Sequence, residues 1–353
     1  MLDSIELIRK LVSLQGPPGQ EEAVARWICE YLVKLGYLPD SDAKGNVIVK
    51  IDGDPRLPTV LITAHLDEIA LMVSAIEPDG KVRVTALGGA YPWKWGETEV
   101  SILASKAPVP GILSFGGIHT NHPKSVVENA RRAPLTWEMG YIFTGLNVAE
   151  TAEAGVRPGL RVVLAQSKRT LKELNRFICS YFLDDRADLA VWLMALLSLK
   201  EHPIAGLPPL VFAATVSEEI GGFGAKFLLR DNPADICVAL EIGPKTPEAD
   251  FEIDANPTIW VQDGYAPMEA IDGDLLEQVC AEIGMKPHWQ FLSRGGSDAS
   301  CAAAAGLIAR PVTLGLSVEN SHGLEIMHKD APGELLKLLL AYLCKAGGLT
   351  TTA

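Results

Sequence analysis

Four short apolar runs constrain this chain more than any other feature: Val60-Leu61-Ile62-Thr63-Ala64 and residues 209–216, 236–242 and 311–316. They are nearly continuous in apolar residues, as strands covered on both faces are. Helical stretches lie between them: Ala187 to Leu199, Gly224 to Arg230, Asp274 to Ile283, Ala299 to Leu307 and Pro332 to Cys344. Strands alternating with helices imply an α/β fold, a mostly parallel sheet sandwiched by helices. Ligands of such sheets collect beyond the carboxyl ends of the strands.

The N-terminal part fits the same pattern. Residues 3–15 read as an amphipathic helix capped by Asp3 or Ser4, broken by Gly16-Pro17-Pro18-Gly19. A second helix is expected over 20–35, with Trp27, Ile28, Tyr31 and Leu32 on one face. Residues 46–51 alternate as a strand, and Gly53-Asp54-Pro55 ends it. From 70 to 165 helical periodicity is weak. Short alternating runs at 81–85, 100–104, 109–113 and 161–164 are separated by Gly, Pro and polar turns, as in a small β-barrel or sandwich. The expected organisation is a catalytic α/β domain, 1–69 and 166–353, interrupted by a β insertion, 70–165. Within the insertion, Tyr91-Pro92-Trp93-Lys94-Trp95 is read as packing at a domain or subunit contact in preference to a substrate pocket.

Composition narrows the function classes. The 353 residues carry a net charge of -13 with no basic run to neutralise phosphates, which excludes a nucleic-acid partner. No apolar run is long enough for a membrane helix. Met1-Leu2-Asp3-Ser4-Ile5-Glu6 lacks the basic and apolar regions of a signal peptide, so a cytoplasmic location is expected. The six cysteines are scattered without a CxxC pair and read as reduced, mostly buried thiols.

Polar residues of particular types follow the apolar runs. His65-Leu66-Asp67 follows the first. In extended chain Asp67 lies on the same side as His65 and can accept a hydrogen bond from one ring nitrogen, leaving the other for a metal. Glu218 and Glu219 follow the second run. Two adjacent carboxylates there repel each other unless cations offset the cost; one would then bind metal and the other stay free to move a proton. Glu241 ends the third, where a buried acid needs a partner, and His322 lies beyond the fourth. Asp184-Asp185-Arg186 opens the apolar helix, with Asp184 placed to bridge two cations and its neighbours to hold the local geometry. Taken singly, each motif has a structural explanation: a polar loop, or carboxylates meeting a helix dipole. Their joint placement at strand ends argues for a metal site. Histidines with carboxylates and no cysteine suit zinc, cobalt or manganese. His119, His122, His202, His288 and His328 are read as surface or loop residues.

Thr63-Ala64-His65-Leu66-Asp67-Glu68-Ile69, Leu183-Asp184-Asp185-Arg186, Ser217-Glu218-Glu219-Ile220-Gly221, Arg294-Gly295-Gly296-Ser297-Asp298-Ala299 and Ser321-His322 together resemble the M42 family of metallo-aminopeptidases, which includes the glutamyl and tetrahedral aminopeptidases. The resemblance runs in order over nearly the whole chain. It implies two divalent ions per subunit, bridged by Asp184. His65 and Glu241 would hold one ion, Glu219 and His322 the other. Asp67 would orient His65, and Glu218 would be the general base. It also implies a dimerisation role for the insertion and a homo-oligomer, dimer or dodecamer. Three positions depart from the family pattern: Glu241 stands where Asp is common, Ala187-Asp188 replaces a usual Gly, and His322-Gly323-Leu324-Glu325 replaces the commoner His-Ser.

The expected reaction is hydrolysis of N-terminal residues from peptides. The alternatives are a metal-dependent deacylase on the same fold and an inactive scaffold. The complete ligand set argues against the scaffold.

Overall fold

The computed structural model describes residues 3–249 and 251–346. The chain forms two compact units: one takes the residues up to Asp67 and from Leu171 onward, the other is Glu68–Thr170.

The larger unit is built on an eleven-stranded sheet. Its centre is four parallel strands in the order Leu210–Thr215, Val60–His65, Ile236–Pro244, Arg310–Glu319. These are the four apolar runs, and they are buried almost throughout. The wings are antiparallel except for one parallel pair, Pro257–Gln262 with His288–Phe291. Val47–Ile51 pairs with Leu210–Thr215 on one side. On the other, Leu324–His328 follows Arg310–Glu319 and leads to the hairpin Lys172–Leu174 and Phe177–Tyr181. Pro257–Gln262 also pairs with Arg310–Glu319, and His288–Phe291 pairs with Pro257–Gln262. The sheet is thus mixed, and the mostly parallel expectation holds for its centre and for that one outer pair. Hairpins supply part of the wings, Lys172–Leu174 with Phe177–Tyr181 and Arg310–Glu319 with Leu324–His328, because antiparallel neighbours need only a short connection.

The helix Leu183–Glu201 is apolar around its circumference, and 14 of its residues are buried, as expected of a core helix. Trp192 packs edge-on to Phe212 and donates its indole N–H to the Ile62 carbonyl at 3.2 Å. Ser4–Val12 and Ala331–Ala346 bury their apolar stripes in the same core. Asp3 caps the first helix by accepting from the Glu6 amide. The register sets the site: Thr215 lies opposite His65, and Ala239 opposite Thr63, so all four strands end on one edge.

The smaller unit is a closed antiparallel barrel in the order Ala70–Ile76, Val82–Leu87, Tyr141–Phe143, Val109–Ser114, Thr98–Ile102, Arg161–Leu164. Leu71, Val73, Val82, Val84, Val100, Ile102, Leu113, Ile142, Val162 and Leu164 fill it. At its two chain ends Glu68 and Arg169 form a fork-on-fork ion pair of 2.8 and 2.5 Å with both side chains buried. In the aromatic cluster Trp95 is buried against Trp137, whereas Tyr91 and Trp93 stack on each other at 4.6 Å and stay exposed. All six cysteines are unpaired, and four are buried.

Candidate active site

Each candidate residue sits where a central strand ends or a turn begins. His65 is the last residue of its strand. Past Thr215 the chain turns at Ser217, a non-glycine residue with φ of 56°, and presents Glu218 and Glu219. Glu241 lies two residues beyond Ala239 and so comes level with His65. His322, φ 59°, occupies the turn between Arg310–Glu319 and Leu324–His328. Phe182, φ 65°, precedes Asp184 and Asp185, which share a cis peptide bond and keep non-helical backbone angles. The two aspartates therefore precede the regular helix and are not part of its first turn. Left-handed non-glycine residues cost about 1–3 kcal/mol each and cluster at functional sites; four, Phe182, Ser217, Asn320 and His322, lie at this one.

These turns bring two groups of side chains together. His65, Asp184, Asp185 and Glu241 have ligand atoms within 4.8 Å of one another, and so have Asp184, Glu219 and His322. Asp184 belongs to both. Its Oδ1 is 3.0 Å from His65 Nε2 and its Oδ2 is 3.3 Å from His322 Nε2. Glu241 Oε1 stands 3.7 Å from His65 Nε2, and Glu219 Oε2 4.0 Å from His322 Nε2. Glu218 belongs to neither group, although it is buried beside them.

Neighbouring polar groups hold this arrangement. Asp185 Oδ2 accepts the His65 amide at 2.6 Å, and Arg186 Nη1 donates to the Leu66 carbonyl at 2.5 Å. Asp67 accepts the amides of Glu218 and Glu219 at 2.9 and 3.1 Å. His65 Nδ1 lies 3.2 Å from the Asp67 carbonyl oxygen and 3.5 Å from the Asp67 carboxylate. The strand stops at His65, so the two-residue alternation does not carry the Asp67 side chain squarely onto the ring. Two residues not singled out from the sequence share the task. Glu21 Oε1 accepts the amide and hydroxyl of Ser217. Glu325 accepts the amides of Asp184 and His322. The Glu21–Ser217 and Glu325–Asp184 contacts join residues far apart in the chain, a signal that local sequence does not carry.

The electrostatics point to cations. Burial pushes Glu218 and Glu241 well above the usual carboxylate range, and neighbouring carboxylates add to the effect. Burial raises Glu219 to about 7, with His322 working against it. Burial opposes charge on His65 as well, but Asp185, Asp184 and Asp67 outweigh it and hold the ring proton well above its ordinary value. The carboxyl groups are thus packed densely enough to retain protons that a divalent cation would displace. Nitrogen and oxygen donors without thiolate fit zinc, cobalt or manganese, and the side chains present fit such ions.

His119, His122 and His202 are exposed on the surface. His288 pairs with Asp254 at 2.9 Å, and His328 faces Asp330. No helix among the described residues is long and apolar enough to cross a membrane.

A profile of the M42 glutamyl aminopeptidase family matches residues 45–338. The chain belongs to that family. This M42 chain is accordingly a hydrolase of the aminopeptidase class. It is 25% identical to the glutamyl aminopeptidase of Lactococcus lactis subsp. cremoris, over 91% of this chain and 90% of the relative. It is 28% identical to the lysyl aminopeptidase of Pyrococcus furiosus, over 67% and 66%. In fold it is similar to the TET aminopeptidase of the marine sediment archaeon Thaumarchaeota archaeon SCGC AB-539-E09, with a TM-score of 0.87 at 22% identity over 97% and 96% of the two chains. It is similar also to the Pyrococcus horikoshii TET1 peptidase, which can assemble into a tetrahedron or a large octahedral shell, with a TM-score of 0.84 at 24% identity over 96% and 98%.

Proposed function

We propose that this chain is a two-metal aminopeptidase in which Asp184 bridges the ions, His65 and Glu241 hold one, and Glu219 and His322 hold the other. The observation that carries the reading is the placement of the two Asp184 oxygens, each facing a different histidine at 3.0 and 3.3 Å. Bound there, divalent ions, zinc first and cobalt or manganese as alternatives, would supply Lewis-acid chemistry that polarises the scissile carbonyl and lowers the pKa of a water. Glu218 is the group left over. It is buried and stands outside both ligand sets, so its carboxylate is free to take a proton from water and return it to the leaving amine, and burial raises its affinity for that proton. Asp67 fixes the backbone on which Glu218 and Glu219 sit, and Asp185 and Arg186 fix the end of the His65 strand.

The substrate is a peptide with a free N-terminus, the insertion 70–165 serves self-association, and the enzyme works as a cytoplasmic homo-oligomer. Support for association comes from the exposed Tyr91–Trp93 pair and from the assemblies of the TET1 relative. The test is a metal-stripped preparation reloaded with zinc, cobalt or manganese and given matched free-amine and N-acetylated aminoacyl substrates. Metal-dependent cleavage of the free-amine set alone is the expected result; cleavage of the acetylated set would make the protein a deacylase.

A further inference from the structure

The strand Leu324–His328 lies between the strand that leads to Asp184 and the strand that leads to His322. It pairs antiparallel with Phe177–Tyr181, where Glu325 is opposite Ser180, and with Arg310–Glu319, where Met327 is opposite Val318. Glu325 sits near its start, nearly inaccessible at 1% exposure. Its Oε2 accepts the backbone N–H of Asp184 at 3.1 Å and its Oε1 the backbone N–H of His322 at 2.9 Å. One carboxylate thus ties together the backbones of two residues 138 positions apart, counted from 184 to 322.

The two halves of the site are held differently. The His65 half is held by Asp185 on the His65 amide, by Arg186 on the Leu66 carbonyl, and by a fully buried strand. The His322 half rests on a turn in which Asn320 and His322 are both left-handed, and the His322 side chain is 31% exposed. Packing therefore restrains His322 less than His65, and a hydrogen bond to its amide matters more.

We infer that Glu325 is a positioning residue for the second metal ion, fixing His322 against the bridging Asp184. It would not touch substrate or reacting atoms. It acts through the two backbones that it joins, as outer groups do when they orient metal ligands. The inference rests on the two-metal reading and deepens it. It also gives a physical role to the His322-Gly323-Leu324-Glu325 sequence: a three-residue reach from histidine to acid lets the carboxylate fold back under the turn.

The test is stepwise zinc binding to full-length wild type and E325Q, followed by calorimetry against a competing chelator, with thermal melting of both metal-free proteins. The amide of E325Q keeps the size but sets an N–H₂ group against a backbone donor. The tighter step should change by no more than about twofold and the weaker step should lose about 10–100-fold, with similar metal-free melting temperatures. Saturating zinc should restore most of the turnover. Identical stepwise constants in both proteins would overturn the inference while leaving the two-metal reading intact. Equal loss at both steps with a lower melting temperature would overturn it in favour of general structural support. A wild type that takes up fewer than two ions would remove the two-metal reading and this inference with it. Should E325Q not fold, E325D, which keeps the charge but shortens the reach, is measured against the same outcomes.

Discussion

Glu218 and Glu219 are adjacent, yet their surroundings assign them different work. Glu219 falls within reach of Asp184 and His322, while Glu218 lies outside both groups of ligand atoms. Replacing Glu218 by Gln should therefore leave metal content unchanged and lower kcat by about 10²–10⁴-fold, the usual worth of a positioned acid–base group. Metal analysis alongside turnover checks it, and near-normal turnover would remove Glu218 as the base. A second residue-scale case is Glu68–Arg169. Both side chains are fully buried, so neither can be screened by water. Arg169→Met would take the two-pronged guanidinium partner away from a buried carboxylate, and breaking a buried pair in this way typically costs about 3–5 kcal/mol. Urea denaturation of the metal-loaded enzyme should show a loss of that order, and a loss below about 1 kcal/mol would mean that the pair is dispensable. The residue-level site was legible as a set of chemical types at strand ends. The contacts that aim those side chains were not: Asp67 on two amides, Glu21 on Ser217 and Glu325 on Asp184 each depend on turns that bring distant segments together.

At the scale of elements, the buried face of the C-terminal helix Ala331–Ala346 meets a polar lock. Tyr342 donates its hydroxyl to Asp272 Oδ1 at 2.6 Å, and Arg310 grips the same carboxylate through Nε and Nη2 at 2.9 and 2.6 Å. Helix Ala270–Glu282, strand Arg310–Glu319 and the C-terminal helix are joined at this point. Burial, with the Asp272 carboxylate beside it, raises the Tyr342 phenol well above its ordinary value. Above about pH 10 an unfolded tyrosine loses its proton while the folded one keeps it. The unfolded state then binds fewer protons, and stability falls as pH rises. Tyr342→Phe should lower stability by about 1–3 kcal/mol at pH 8, because a buried acceptor loses a donor. It should also lack that alkaline slope, so the gap from wild type should narrow by about pH 11. Urea midpoints at the two pH values check this, and a constant gap would mean that the phenol does not titrate differently on folding. Elements with strong apolar patterns were readable: the four central strands, the core helix and four of the barrel strands all lie within a few residues of expectation. Lys172–Leu174 is exposed at every position, and Tyr141–Phe143 has only three residues; neither carries enough pattern to be seen. The wing strand at Val47–Ile51 was readable, but the antiparallel pairing of the wings was not, because pairing partners are set by tertiary packing and not by local period.

At the scale of the whole molecule, charge and exposed aromatic surface act in opposition. Each chain carries -13, so copies repel one another at long range, and the proposed self-association would have to come from apolar contact at short range. Tyr91 and Trp93, 46% and 58% exposed and stacked together, are the aromatic surface the insertion offers. Aromatic side chains that are exposed in the monomer and buried on association commonly dominate such contacts. Trp93→Asp should add repulsion and remove that surface at once. Sedimentation should then shift toward smaller species, while the barrel, whose core holds Trp95 and not Trp93, stays folded. Screening acts on the wild type in the opposite direction: raising ionic strength from about 0.01 to about 0.15 M shortens the Debye length from about 30 to about 8 Å, so the assembled fraction should rise. Sedimentation velocity at both salt concentrations for both proteins decides the matter. If Trp93→Asp sediments as the wild type does, association is carried by another surface; if salt dissociates the wild type, attraction between unlike charges, and not aromatic burial, holds the subunits together.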